Sequence, residues 1–150
     1  MVDQNLIDKL KGWRENPPDE GSIDEKFGEE FINTLFGIFK QLSEEDEDLK
    51  EEVEDAELCM QFVMTWEGKD FKFWISARDG KMEFGAGEGP DVSVTLKATA
   101  PTMFSMLSGE ADSTSLYMSG DLTIEGNLQD AMAFGEISNI AADLIEELID

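Results

Sequence analysis

Between Leu58 and Ala98 apolar residues recur at every second position, and this alternation limits the fold more than any other feature of the sequence. The pattern is interrupted at Glu67–Asp70, at Asp79-Gly80 and at Gly85–Pro90, and it resumes after each interruption. Because successive side chains of a strand point to opposite faces, the pattern predicts four strands with one apolar and one polar face. Asp79-Gly80 is a strong hairpin signal, and one wet face is typical of an antiparallel sheet. We therefore predict an antiparallel meander.

Two helices are predicted before the sheet. The first, Asp3 to Arg14, carries Leu6, Ile7 and Leu10 on one face, and Pro17-Pro18 follows it. We interpret this face as a docking stripe on the domain, with membrane contact as the alternative. The second helix opens at Ser22, where Ser22-Ile-Asp-Glu25 has the spacing of a capping box. Its apolar stripe has steps of three and four residues and consists of Phe27, Phe31, Leu35, Ile38, Phe39 and Leu42.

The segment from Ser43 to Glu57 is rich in acidic residues. Leu49 and Val53 have the spacing of a short helix. The alternating ligands and central glycine of an EF-hand are missing, so we predict a solvated surface segment and not a calcium loop.

After the meander we expect a short helix, a fifth strand and a final helix. Pro101 suits the first turn of the short helix, and Leu116 to Glu125 is interpreted as the fifth strand. Gly126-Asn127 then caps the final helix. Its predicted apolar side consists of Leu128, Met132, Ile137, Ile140, Ala141, Leu144 and Leu148. The predicted fold class is α+β, with a five-stranded, mostly antiparallel sheet and helices that cover one face.

The formal net charge of −24 restricts the possible partners. Nucleic acids and anionic membranes are attracted by lysine and arginine, so we expect no nucleic-acid binding and at most transient membrane contact. The single cysteine, Cys59, and the absence of a signal-peptide pattern in the first residues predict a cytoplasmic protein.

The residue types leave little room for catalysis. The sequence contains no histidine, which excludes catalytic histidine pairs and histidine metal sites. Cys59 is interpreted as a small core residue, and the glycines from Gly85 to Gly89 as a turn, because no Walker lysine follows them. Acidic residues are abundant, but nothing singles out one pair as a carboxylate dyad. We predict no enzyme activity, no catalytic residue, no metal and no cofactor.

The run from Gly89 to Phe134 resembles the sterol carrier protein type 2 family. Three pieces match in the family's order: a Pro-Asp-Val strand at residues 90–96, a short helix ending in Leu-x-Gly at 102–110, and a Gly-x-Leu-x-Ile-x-Gly-Asn stretch within 118–132. The resemblance implies an apolar tunnel between sheet and helices and a sterol, isoprenoid or fatty acid as ligand. Residues 22–150 would form the lipid-binding domain, and residues 1–21 a helix and proline-rich linker. Whether the chain is a monomer or a homodimer stays open.

We predict a non-catalytic carrier of an apolar ligand, with a protein-interaction module on a filled core as the alternative. The candidate ligand-binding residues lie on three helices and on the strands. They are Phe31, Leu35 and Phe39 from the first core helix, Met103, Phe104, Met106 and Leu107 from the short helix, Leu128, Met132 and Ile140 from the last helix, and Phe73, Phe84, Met118 and Leu122 from the strands.

Overall fold

The computed structural model describes residues 3–16, 25–107 and 111–149, and in these ranges the chain forms a helical layer on one mixed sheet. The elements in chain order are α1 Gln4–Glu15, α2 Glu25–Glu45, α3 Glu47–Asp55, β1 Leu58–Trp66, β2 Lys69–Arg78, β3 Lys81–Ala86, β4 Val94–Thr99, α4 Ala100–Leu107, α5 Ser113–Ser119, β5 Thr123–Gly126 and α6 Leu128–Ile149. The α+β class with a five-stranded, mostly antiparallel sheet is confirmed.

The sheet has the strand order β3-β2-β1-β4-β5. β1 with β2, β2 with β3 and β4 with β5 are antiparallel, whereas β1 and β4 are parallel. The prediction of a continuous meander is therefore wrong at β4, which lies beside β1 and not beside β3. A pattern of alternation defines which residues share a face, but it does not say which strand is the neighbour.

The segment after β3 has to cross the sheet to reach β4, and it does so over the face opposite the helices. There the backbone of Gly89 lies so close to Cys59 and Trp74 that an added Cβ would stand 2.8 Å from the Cys59 Sγ atom. The predicted simple turn at Gly85–Pro90 is thus part of a crossover. Parallel neighbours require such a connection.

The N-terminal helices follow the prediction in the described residues. Ile7 and Leu10 of α1 are buried, and they belong to the same apolar core as α2 and the sheet. Asp3 caps α1, because its side chain accepts a hydrogen bond from the Asn5 backbone N–H. The predicted capping box at Ser22 lies outside the described residues.

The acidic segment folds largely as α3, and its two apolar residues anchor it. Leu49 and Val53 are fully buried while the acidic residues around them remain at the surface. Asp46 caps the helix by accepting from the Leu49 N–H. The prediction of a short, solvated helix is confirmed.

The predicted fifth strand from Leu116 to Glu125 is wrong in its first half. Residues 113–119 form α5, which begins after the N-cap Asp112 and ends at Gly120, whose φ is 89°. The strand β5 covers only Thr123–Gly126. The capping residue and a glycine in the left-handed region are the sequence signals of a helix that the two-residue spacing of Leu116 and Met118 concealed.

Candidate functional site

The inner face of the sheet, which we define as the face under the helices, is apolar along its rows. The strand register aligns Phe62 with Phe73 and Leu96, and Met60 with Ile75 and Val94. Each of these side chains is buried. This arrangement follows from the alternation, because paired positions of neighbouring strands share one face.

Helix α2 supplies more buried apolar residues to the helical side of this compartment than any other described helix. Phe31, Leu35 and Phe39, three of the predicted ligand-binding residues, are buried there. Phe36 is also fully buried, although it lies outside the predicted stripe. A stripe wider than one residue per turn, which is normal for a helix on a core, would have included it.

Five phenylalanines meet in the middle of the inner face, and we call them the central cluster: Phe36, Phe62, Phe73, Phe84 and Phe134. The rings of Phe62 and Phe73 stack with centroids 5.2 Å apart. Phe36 lies 5.8 Å from Phe62, and Phe134 lies 5.9 Å from it. The central cluster brings the predicted residues Phe73 and Phe84 together and fills this part of the compartment with the chain's own rings.

A second group of rings joins α1, α2 and α4. Phe104 packs edge-on against Phe31 at 4.8 Å and against Phe27 at 5.3 Å. Trp13 contacts the same two residues, at 5.7 Å from Phe31 and 5.4 Å from Phe27. The predicted residues Phe31 and Phe104 are therefore in direct contact, and α1 covers them from outside.

The apolar interior reaches the surface along α4, α5 and β5. Five side chains there are only half-buried while they pack on the buried core, and we call them the edge cluster: Phe104, Met106, Leu107, Leu116 and Ile124. The predicted residues Met103 and Leu122 are buried in the core. At each edge-cluster position the apolar core is therefore only partly covered by the described residues.

Three predicted residues point away from the compartment. Met118 lies in α5 and not on a strand, and its side chain is 84% exposed, so it does not form the predicted floor. Met132 is 72% and Leu128 51% exposed. Met132 and Phe134 differ by about 200° around a helix, and α6 turns Phe134 inward, together with Ile137, Ala141 and Ile145.

Ile140, the remaining predicted residue, is half-buried and faces α3. It lines a groove of about 440 Å³ between α3 and α6, together with Leu144. The other lining residues are acidic: Asp46, Asp48, Glu51, Glu52 and Asp143. This groove is polar and open, unlike the compartment under the helices.

The described part of the compartment contains no charged side chain. The buried polar residues are Thr34, Ser43, Gln61 and Ser76. Thr34 donates to the Glu30 carbonyl at 2.7 Å and Ser43 to the Lys40 carbonyl at 2.6 Å, both within α2. Gln61 and Ser76 lie on the outer face, because they alternate with Phe62 and Ile75.

The described residues contain no group of three or more acidic or cysteine side chains placed to hold a metal ion. Cys59 is buried on the outer face, and burial raises the pKa of its thiol. Arg78 lowers this pKa and Asp91 raises it, and both effects are smaller than that of burial. A protonated, buried thiol is a poor nucleophile. Among the described helices, none has the length and apolarity needed to cross a membrane.

The described residues form an apolar compartment between the sheet and the helices, and a comparison of the sequence with known families assigns the chain to one of them. The profile of the SCP-2 sterol transfer family matches residues 39–139. The chain belongs to this family. Membership supports a role in lipid binding or lipid transfer. Among curated protein sequences, none is significantly similar to the chain.

Solved structures of the SCP-2 fold are similar to this one. Sterol carrier protein 2 from Yarrowia lipolytica in its apo form has a TM-score of 0.60 and 19% identity, over 75% of this chain and 92% of that one. Sterol carrier protein domain 2 of Helicoverpa armigera has a TM-score of 0.59 and 21% identity, over 75% and 88%. The sec-alkylsulfatase Pisa1 from a Pseudomonas species matches with a TM-score of 0.56 and 17% identity, over 75% of this chain but 16% of its own. At these identities the likeness shows the fold alone.

Proposed function

We propose that the chain is a non-catalytic carrier of an apolar, lipid-like molecule such as a sterol, isoprenoid or fatty acid. The molecule is held in a tunnel between the inner face of the sheet and helices α2, α4 and α6. Residues 22–150 form the binding domain, and residues 1–21 an extension whose helix packs on α2 and α6. The carrier works in the cytoplasm and touches membranes at most transiently.

The edge cluster is the observation that carries this proposal. Phe104, Met106 and Leu107 continue the buried core to the surface, so an apolar guest that enters beside α4 would cover them and meet Met103 and Leu122 next. Hydrocarbon burial is worth roughly 0.8 kcal/mol per CH₂, or ~10 kcal/mol for a C16-like chain before ordering costs. Methionine side chains adapt readily to ligands of different shape, because they are unbranched and polarizable. Binding therefore needs no charged contact.

The test is lipid uptake by the purified full chain. Native mass spectrometry after incubation with dehydroergosterol and with geranylgeraniol should show a 1:1 complex with at least one of them, and the melting temperature should rise with lipid concentration. Leu107→Trp places a larger side chain at the entrance and should weaken uptake at least about tenfold. Leu148→Trp, at the exposed end of α6, is the matched control and should bind as the unaltered chain does.

The central cluster favours one alternative, an interaction module that has kept the fold and filled its core. Phe36, Phe62 and Phe134 occupy space that a guest would otherwise use. On this alternative neither lipid binds, and the purified chain carries no lipid. Adding lipid then leaves the melting temperature unchanged, both for the unaltered chain and for Leu107→Trp. That result would end the carrier proposal.

A further inference from the structure

We propose that the compartment takes uncharged lipids and discriminates against the same hydrocarbon when it carries a carboxylate or phosphate. This inference rests on the proposed carrier function and narrows its ligand class. It is carried by the positions of the described basic side chains relative to the compartment.

Four of the five basic residues of the sheet lie on its outer face, and the fifth, Lys69, shares the inner-face register of Phe71 but is exposed at the start of β2. Lys72 pairs with Val63 in the register and lies on the outer face, where its Nζ atom is 3.4 Å from a Glu88 carboxylate. Lys97 alternates with the buried Leu96 and is exposed. Arg78 donates to the backbone carbonyls of Pro90 and Asp91 in the crossover. None of these cations is buried under the helices, where the anionic headgroup of a bound lipid would lie.

The helical layer offers no better partner. Its lysines Lys9, Lys11, Lys26, Lys40 and Lys50 are all exposed, and Lys9 is held 3.3 Å from Glu30. The residues outside the described ranges add no lysine or arginine side chain, since 17–24 and 108–110 read PPDEGSID and SGE. Among the basic side chains that the structure describes, none is buried under the helices.

Neutral hydrogen-bond donors in the compartment are already used. The Thr34 and Ser43 hydroxyls donate to carbonyls of α2. A carboxylate drawn inside would lose its water without gaining a partner, which is strongly unfavourable. A single hydroxyl or carbonyl group loses far less, and it can stay hydrated at the edge cluster while its hydrocarbon is buried.

The charge of the whole chain acts in the same direction. With 35 acidic and 11 basic residues, the protein repels an approaching anion. The acidic groove between α3 and α6 extends this charge beside the helices that cover the compartment. Because salt screens exposed charges, the discrimination should be strongest at low ionic strength and decrease as salt is added.

The experiment compares three ligands with one hydrocarbon: hexadecanol, palmitate and palmitoyl-CoA. Each is delivered from cyclodextrin to the full chain at pH 8, and its dissociation constant is measured by competition with dehydroergosterol or geranylgeraniol, whichever binds. Palmitate should bind at least about tenfold more weakly than hexadecanol, and palmitoyl-CoA more weakly still. Raising KCl from 0.1 to 1 M should bring the dissociation constants of palmitate and palmitoyl-CoA closer to that of hexadecanol. The dissociation constant of hexadecanol itself should change little.

A charge added at the entrance sharpens the test. Leu107→Lys should increase the affinity for palmitate, relative to the affinity for hexadecanol, by about tenfold. Leu148→Lys, on the exposed end of α6, should leave this relative affinity unchanged. If Leu107→Lys does not fold by circular dichroism, Met106→Lys at the neighbouring edge-cluster position replaces it.

The outcomes separate the two proposals. If palmitate or palmitoyl-CoA binds as tightly as hexadecanol at low salt, the proposed discrimination against anionic lipids is wrong, and the proposed carrier function still holds. Failure of all three ligands and of both neutral probes to bind overturns the carrier, and the discrimination with it.

Discussion

Gln61 and Phe62 are neighbours on β1, both are buried, and they show how differently the two faces of the sheet are sealed. Phe62 lies among rings of the central cluster on the inner face. Gln61 lies on the outer face under the crossover, where its amide donates to the Phe73 and Gly87 carbonyls and its oxygen accepts from the Gly89 N–H. One face is closed by apolar packing and the other by directed hydrogen bonds.

This difference is the reason that the proposed carrier function puts its ligand on the inner face. Apolar packing is not directional, so a compartment lined by Phe, Met and Leu can exchange one apolar contact for another. The outer face has no such freedom, because the Gly89 backbone touches Cys59 and Trp74 directly and each hydrogen bond of Gln61 has one fixed partner. The crossover therefore fixes the strand order, while the apolar inner face is the side on which we propose that a ligand binds.

The largest effect is expected from Phe62→Ala on the inner face. Phe62 is fully buried and contacts Phe36, Phe73 and Phe134, so its removal leaves a cavity that rigid neighbouring rings cannot fill. We expect the free energy of unfolding to fall by about 3–5 kcal/mol in urea titrations. Val63→Ala, half-buried on the outer face of the same strand, is the control and should lose much less. Equal losses for the two variants would contradict the proposed contrast between the faces.

Gln61→Leu tests the outer face. The substitution keeps the approximate size of the side chain but leaves the Phe73 and Gly87 carbonyls and the Gly89 N–H without their partner. We expect a loss of about 2–3 kcal/mol, because buried polar groups without partners lose their hydration. Thr65→Leu makes the same kind of change on the same face beyond the crossover, and it should be close to neutral. If Gln61→Leu is as stable as the unaltered chain, hydrogen bonds do not hold the crossover.

Gly89→Ala tests the close approach itself. A Cβ at this position would lie 2.8 Å from the Cys59 Sγ atom and 2.9 Å from the Trp74 Cβ atom, so the crossover has to shift. The expected loss is about 1–2 kcal/mol, the range of modest overpacking. Gly12→Ala in α1, where a Cβ would meet nothing within 4 Å, should be neutral or slightly stabilising. A Gly89→Ala variant as stable as Gly12→Ala would show that the crossover is loosely packed.

The same contrast shows how far the sequence predicts the structure. Alternation is a local property, so it correctly predicted the inner residues Met60, Phe62 and Phe73 and the hairpin at Asp79-Gly80. The position of β4 depends on a connection that crosses two strands, and no local pattern records it. The alternation places Gln61 on the polar face of β1, and its burial there is a consequence of that connection.

The candidate ligand-binding residues also fall into two groups, those whose burial the sequence predicts and those whose position it does not. Phe31, Leu35 and Phe39 lie on a long helix with a regular stripe, and they are buried as expected. The sequence predicts Met118 on the fifth strand and Met132 on the apolar side of the last helix, yet α5 replaces the first half of that strand and α6 turns Phe134 inward instead of Met132. For a helix with apolar residues on several sides, the sequence alone does not determine which side meets the sheet.

The smallest expected effect is a pH dependence that comes from Cys59 under the crossover. Burial raises the pKa of its thiol, whereas in the unfolded chain a thiol ionises at about pH 8.5. Above that pH the unfolded state loses a proton that the folded state retains, so the free energy of unfolding should fall as pH rises. The slope is at most about 1.4 kcal/mol per pH unit, and the fall ends when pH exceeds the raised folded pKa.

Cys59→Ala isolates this effect, because every other titrating group is common to the two proteins. Urea titrations at pH 8, 9 and 10 should show the stability difference between the unaltered chain and Cys59→Ala shrinking as pH rises. In the folded protein the thiol should also react slowly with Ellman's reagent at pH 8, and faster once Gln61→Leu has loosened the crossover above it. A thiol that reacts rapidly in the unaltered chain would mean that the outer face is open at Cys59 and that the crossover does not seal it.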